Sequence, residues 1–265
     1  MEETYVLANA DHQKAVDLLL AAERDCRPIP RLSDSFPGMS IADAYAIQRQ
    51  VVDAKLAAGG RIRGHKVGLT SRVMQESVGI DEPDFGHLLD ESILGTDRPI
   101  AVDRFLVPRI EVELAFVLGR PLRGPDVTIA DVLMATDFVQ PALEIIDSRT
   151  ETPRTVVDTI ADNSACGAVV LGGRPVPPTE VDLRWVAAVL YRNAVIEESG
   201  VSSAVLGHPA AGVAWLANRL ATFDTALEPG HVVLAGSFTR PVPLAAGDIF
   251  HVDYGQLGSI ALAFA

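Results

Sequence analysis

The stretch Ile110-Glu111-Val112-Glu113-Leu114-Ala115-Phe116-Val117-Leu118 carries two carboxylates at strand spacing. Alternate residues of a strand face the same side, so Ile110, Val112, Leu114, Phe116 and Leu118 make one apolar face. The opposite face holds Glu111 and Glu113 and then turns apolar at Ala115 and Val117, where a solvated face would stay polar. Glu144 has the same setting in Pro141-Ala142-Leu143-Glu144-Ile145-Ile146, sharing a face with Ala142 and Ile146. Carboxylates gathered away from water repel and resist ionisation unless a cation neutralises them. Three of them offer a hard, all-oxygen site for Mg²⁺ or Mn²⁺, with octahedral positions left for water and substrate. Spacing alone equally allows pairing with Arg109 or Arg149, or a solvated sheet rim.

A second cluster lies upstream, in Gly64-His65-Lys66-Val67-Gly68-Leu69-Thr70-Ser71 and Pro83-Asp84-Phe85-Gly86. Lys66 sits in an apolar, glycine-flanked strand, where it could hydrogen-bond a substrate carboxylate or move protons; an ordinary salt bridge is the alternative. Asp84 reads on its own as a turn aspartate. His65 faces away from Lys66 and reads as structural, and His208, before Pro209, as a helix cap. Ser237 lacks a G-x-S-x-G frame, and no G-x-G-x-x-G, Walker loop or H-E-x-x-H occurs, so nucleotide and zinc-protease chemistry are unsupported.

The elements that must position these groups can be read from periodicity and punctuation. Residues 11–26 read as a helix ended by Pro28 and Pro30. A second helix starts at Ser40 with Asp43 as its capping-box partner and stops at Gly59-Gly60. From Arg61 short apolar runs alternate with Gly and Pro, the pattern of a β-rich body. Strands are expected near 62–69, 111–118, 141–146, 167–172, 184–191, 231–236, 247–253 and 258–264. Helices interrupt them from Thr128, capped with Asp131, and over about 209–222. The division is a helical segment over 1–60 and a β-rich catalytic domain over 61–265, of α+β class.

The chain has 265 residues, 48% hydrophobic and 22% charged, enough to bury a core without staples. Its net charge of −13 argues against nucleic acid or an anionic membrane surface as partner. It also means that an anionic substrate needs a local cation. Two cysteines, Cys26 and Cys166, make neither a disulfide scaffold nor a thiolate zinc site and fit a reducing compartment. Glu2 and Glu3 do not suit a signal peptide, and no apolar run reaches a bilayer-spanning length, so a cytoplasmic protein is expected.

Residues 64–71, 83–86, 108–114, 141–149, 158–167, 207–216 and 255–260 together resemble the hydratase/decarboxylase branch of the fumarylacetoacetate hydrolase superfamily, over nearly the whole chain. The resemblance implies a mixed β-roll, barrel-like body with a helical N-terminal part. It implies Mg²⁺ or Mn²⁺ held by Glu111, Glu113 and Glu144, Lys66 and Asp84 as the catalytic pair, and Ser164 at the substrate. The implied substrate is a small anionic 2-hydroxy-2,4-dienoate, or its 2-oxo tautomer, from aromatic-compound catabolism, hydrated at C4 to a 4-hydroxy-2-oxo acid. Segments 182–185, 191–193, 237–241 and 250–255 favour the seven-carbon 2-oxohept-4-ene-1,7-dioate. Segment 162–167 leans to the five-carbon 2-hydroxypenta-2,4-dienoate. Decarboxylation of 4-oxalocrotonate on the same site is the further alternative, against which the Pro-Asp-Phe-Gly pattern at Asp84 speaks. A diacid needs a cation at its far end, for which Arg240 is the candidate. A homo-oligomer, pentameric or decameric, and association with pathway enzymes are also implied.

Overall fold

The computed structural model describes residues 4–71, 75–76 and 80–265; Glu2 and Glu3 lie outside them. Helix α1 spans Asn9–Arg24, and a four-residue turn of helix, α2, spans Leu32–Ser35. Helix α3 spans Ile41–Ala57 and is capped as the sequence requires, Ser40 accepting from Asp43 N and Asp43 accepting from Ser40 N. The Thr128/Asp131 box likewise opens α4, Ile129–Ala135. The same motif at Thr155/Asp158, unread in the sequence, opens the short α5, Val156–Ala161. Pro209 takes the first position of α6, Pro209–Ala221, behind the His208 cap.

The strands are β1 Ile62–Gly68, β2 Asp84–Leu89, β3 Ile93–Leu94, β4 Arg109–Leu118, β5 Thr136–Ile146, β6 Cys166–Leu171, β7 Ala187–Arg192, β8 Val195–Val201, β9 Val232–Leu234, β10 Val242–Pro243, β11 Ile249–Asp253 and β12 Ser259–Ala263. They form two mixed or antiparallel sheets, as the α+β expectation requires. The larger runs β2-β1-β9-β4-β5-β6-β3, with β10 beside the start of β4; the smaller runs β12-β11-β7-β8. Asp84, a turn residue by sequence, instead begins β2, which pairs antiparallel with β1. β8 was not anticipated because most of its side chains are exposed and give no inward alternation.

The large sheet is strongly curled. Three strand spacings separate β1 from β5, about 14 Å in a flat sheet. Yet Lys66 on β1 reaches to 3.4 Å from Glu144 on β5. The outer face packs under the helices in one continuous core that takes in Ala15, Leu19, Ile47, Phe85, Phe116, Leu143 and Leu216. The three N-terminal helices therefore share the core of the body. The concave face carries a smaller apolar cluster of Leu88, Ala115, Ala142, Cys166, Val169, Val232 and Leu234, and the acids are set among these residues.

Candidate active site and metal centre

Register decides which groups meet. In the β4–β5 pair Glu111 stands opposite Glu144, and Glu113 opposite Ala142, so Glu144 faces Glu111 directly and Glu113 diagonally. Like charges facing across a ladder are destabilising. Oxygens from all three lie within 4.8 Å of one another. Glu113 is 1% exposed and Glu144 is fully buried. Burial, then Glu144, pushes Glu111 up to about 7. Burial and the two neighbouring acids raise Glu113 well above the usual range, and burial raises Glu144 against the pull of Lys66.

One backbone donor fixes part of the trio. Gly236 N donates to Glu113 Oε2 at 2.8 Å, from a backbone at φ +116 that suits glycine. A Cβ there would also fall 2.4 Å from Thr70 Oγ1. Glu144 has no such donor: both of its oxygens are buried without a hydrogen-bond partner. Crowded, dry carboxylate oxygens with unused lone pairs fit a hard divalent cation, and the all-oxygen donor set selects that class. The arginine alternative fails for Arg149, which is bound to Asp162 and to the Cys166 carbonyl.

Lys66 and Asp84 come from adjacent strands. β1 and β2 pair Gly68 with Asp84 and Lys66 with Gly86, so both functional side chains project from one face. Gly68 leaves room for both: a Cβ on it would lie 2.1 Å from Asp84 Oδ1 and 3.3 Å from Lys66 Nζ. Asp84 is 1% exposed, neither oxygen has a hydrogen-bond partner, and burial raises its pKa against the opposing pull of Lys66. Burial would strip Lys66 of its proton, but Glu144, Asp84 and Glu111 overcome that and hold it charged. His65 points the other way, into a buried group with Phe85 and His87, and burial lowers its pKa.

Ser164 lies in a left-handed turn in which Asn163, Ser164 and Ala165 all have φ between 52 and 56. The turn spends its polar groups on β2. Ser164 Oγ donates to Phe85 O at 2.7 Å, and Asn163 exchanges hydrogen bonds with the His87 backbone. Consecutive left-handed non-glycine residues are costly and tend to persist at functional places.

Lys66, Asp84, Glu111 and Ser164 line one cavity of about 320 Å³, together with Gly68, Arg109 and Arg154. Arg240 is not among the lining residues. Its side chain is 85% exposed and pairs with Glu198 at 2.6 Å, while its neighbour Pro241 does reach the cavity. Arg109 and Arg154 were missed as lining cations. Arg109 entered the sequence reading only as a partner for the glutamates, and Arg154 sits in an aperiodic loop that gives no signal. This cavity, with cations beside a cluster of carboxylates, can seat a small anion, neutralise it and move protons around it.

Residues 61–264 match the family described as fumarylacetoacetate (FAA) hydrolase C-terminal. The chain is 55% identical over 260 residues to the 2-oxo-hept-4-ene-1,7-dioate hydratase of Escherichia coli, covering 96% of this chain and 97% of that one. It is 38% identical to a 2-keto-4-pentenoate hydratase of Paraburkholderia xenovorans, covering 95% and 94% respectively. Among solved structures it superposes on the 4-oxalocrotonate decarboxylase of Pseudomonas putida G7, complexed with magnesium and adipate, with a TM-score of 0.96. That match has 34% identity and covers 99% of this chain and 100% of the other.

Proposed function

Since the chain belongs to the fumarylacetoacetate (FAA) hydrolase family, we propose that it is a metal-dependent hydratase acting on a 2-hydroxy-2,4-dienoate of aromatic-compound catabolism, best 2-oxohept-4-ene-1,7-dioate. The single cavity that collects Lys66, Asp84 and Glu111 carries this reading. The 55% identity to a named hydratase, against 34% to the decarboxylase, supports hydration over loss of CO₂.

Glu111, Glu113 and Glu144 are the residues to hold Mg²⁺ or Mn²⁺. Such a cation supplies Lewis-acid stabilisation of negative charge on the substrate's C2 oxygen. Lys66 and Asp84, flanking Gly68, carry the protons. One takes the proton of the 2-hydroxyl while C5 receives one, which turns the dienol into a conjugated 2-oxo-3-enoate. Water then adds its oxygen to the electrophilic C4 and a proton to C3, giving the 4-hydroxy-2-oxo acid. Asp84 suits this exchange because its buried carboxyl keeps a proton to higher pH than usual. Ser164, fixed against Phe85 O, shapes the wall beside the pair and presents its remaining lone pairs to the substrate.

A homo-oligomer, pentameric or decameric, in the cytoplasm completes the proposal. Exposed Trp185, Val195, Ile196 and Ile249, in and beside the smaller sheet, support packing against a second copy. No helix of the described residues is long and apolar enough to cross a membrane.

The test is an ultraviolet turnover assay with Mg²⁺ on freshly generated 2-hydroxyhepta-2,4-diene-1,7-dioate and 2-hydroxypenta-2,4-dienoate, with product masses. Magnesium-dependent loss of absorbance with gain of one water is expected, faster on the diacid. Release of CO₂ from 4-oxalocrotonate without hydration of either dienoate would replace the hydratase with a decarboxylase.

A further inference from the structure

The cavity holds a cation that the proposed chemistry does not use. Arg154 lies in the loop between β5 and α5, and its Nη1 is buried without a hydrogen-bond partner. Two acids near it are committed elsewhere, and Asp84, across the same cavity, makes no hydrogen bond to it. Asp162 binds the backbone and guanidinium of Arg149, and Asp147 accepts the amides of Leu106 and Val107. Burial, with Arg149 and Arg109, works against the charge of Arg154, and the attraction of Asp162 and Asp84 offsets this only in part. A guanidinium does not lose its proton in a protein, so one that faces a cavity only partly compensated, with Nη1 unpartnered, favours an anion there.

The loop carrying Arg154 is held firmly. Ile29 N donates to Arg149 O, Glu151 N donates to Ile29 O, and Arg31 Nη1 donates to Pro153 O at 3.1 Å. The N-terminal segment thus straps residues 149–153 onto the body and presents Arg154 in a fixed place. The other lining cations serve this purpose less well. Lys66 is engaged by Glu144, and Arg109 is exposed, so its attraction for an anion is screened.

We infer that Arg154 is the specificity-determining residue that receives the far carboxylate of a dicarboxylate substrate, so that the cavity prefers a diacid to the corresponding monoacid. The inference rests on the proposed dienoate hydratase and assigns the residue that receives the second charge of its diacid substrate. A guanidinium–carboxylate pair enclosed in a cavity discriminates strongly, because the substrate lacking the second carboxylate leaves the cation unpaired.

The experiment compares wild type, Arg154→Met and Arg154→Lys with Mg²⁺ on the seven-carbon dienedioate and the five-carbon dienoate. Arg154→Met should lower the ratio of kcat/KM for diacid over monoacid on the order of a hundredfold, chiefly through KM, and Arg154→Lys should recover part of it. Equal losses on both substrates, or an unchanged ratio, would overturn the assignment. Calorimetric binding of heptanedioate and pentanoate to the same proteins reads the subsite without catalysis. If wild type hydrates neither dienoate, the hydratase proposal fails alone. The Arg154 assignment then stands if heptanedioate binds wild type more tightly than Arg154→Met, and falls if it does not.

Discussion

At Gly68 the proposed acid–base pair has no room to spare, since an added methyl would meet Asp84 Oδ1 at 2.1 Å. Gly68→Ala should therefore displace the carboxyl and lower kcat on the order of a hundredfold, while Mg²⁺ affinity, which the proposal assigns to Glu111, Glu113 and Glu144, changes little. Steady-state kinetics beside a calorimetric magnesium titration checks both halves, and wild-type kcat would remove Asp84 from proton transfer. The acids of β4 and β5 were legible because an otherwise apolar strand face advertises a misplaced charge. Lys66 was visible for the same reason. The strand environment of Asp84 was not, because Pro83 and Gly86 punctuate its sequence like a turn, and only pairing with β1 reveals the strand. Nor could Arg154 be found from spacing, since its meaning depends on which carboxylates other arginines have taken.

Capping boxes made the longer helices readable, and one of them reaches well beyond its own helix. Asp43 also accepts the amides of Val6 and Leu7 and contacts His12 Nε2 at 2.8 Å, so it ties the N-terminal segment and α1 to α3. Burial opposes its charge, but the hydrogen bonds from Ser40 lead those that hold it ionised, down to about 2 against an ordinary 3.8. A depressed carboxyl contributes stability above the unfolded value and loses it as pH falls through the folded one. Asp43→Asn should thus cost on the order of 2 kcal/mol at neutral pH, with the difference from wild type shrinking between about pH 4 and pH 2. Urea titrations across that range measure it. Helix α3 supports the site as well: Gln48 Nε2 donates to Phe85 O at 2.9 Å and to Ile160 O at 2.8 Å from a buried position. Gln48→Leu should destabilise by about 1–3 kcal/mol and lower kcat more than it raises KM, because the carbonyl beside Asp84 loses a partner. Denaturation and kinetics on one preparation test it. Helices α1 and α3 are thus legible in the sequence, but the interlocking of the N-terminal part with the site through Gln48 and Ile29 is long-range and leaves no local mark.

For the whole molecule, curling is what gathers the three glutamates into a candidate metal centre, and the consequence is a linkage between pH and metal. Without a cation the three glutamates keep protons to higher pH than in the unfolded chain. Their stabilising contribution is complete below an ordinary 4.5 and is lost as pH rises through about 7 for Glu111. A cation takes the place of those protons, so added Mg²⁺ should raise Tm more at about pH 8 than at about pH 5.5 and release protons as it binds. Thermal melts with and without chelator test this, and an equal shift at both pH values would remove the buried acids from the metal site. The curl has a further consequence, for how such a chain can change its length. β1 shows Lys66 to the cavity and His65 to the core, and β4 divides Glu113 from Leu114 in the same way. Gaining or losing one residue in either strand would swap the two populations, sending charges into oil and hydrocarbon into the reaction chamber. Insertions and deletions are therefore confined to the connections between strands, while the strands themselves behave like a ruled page on which letters may change but lines may not shift.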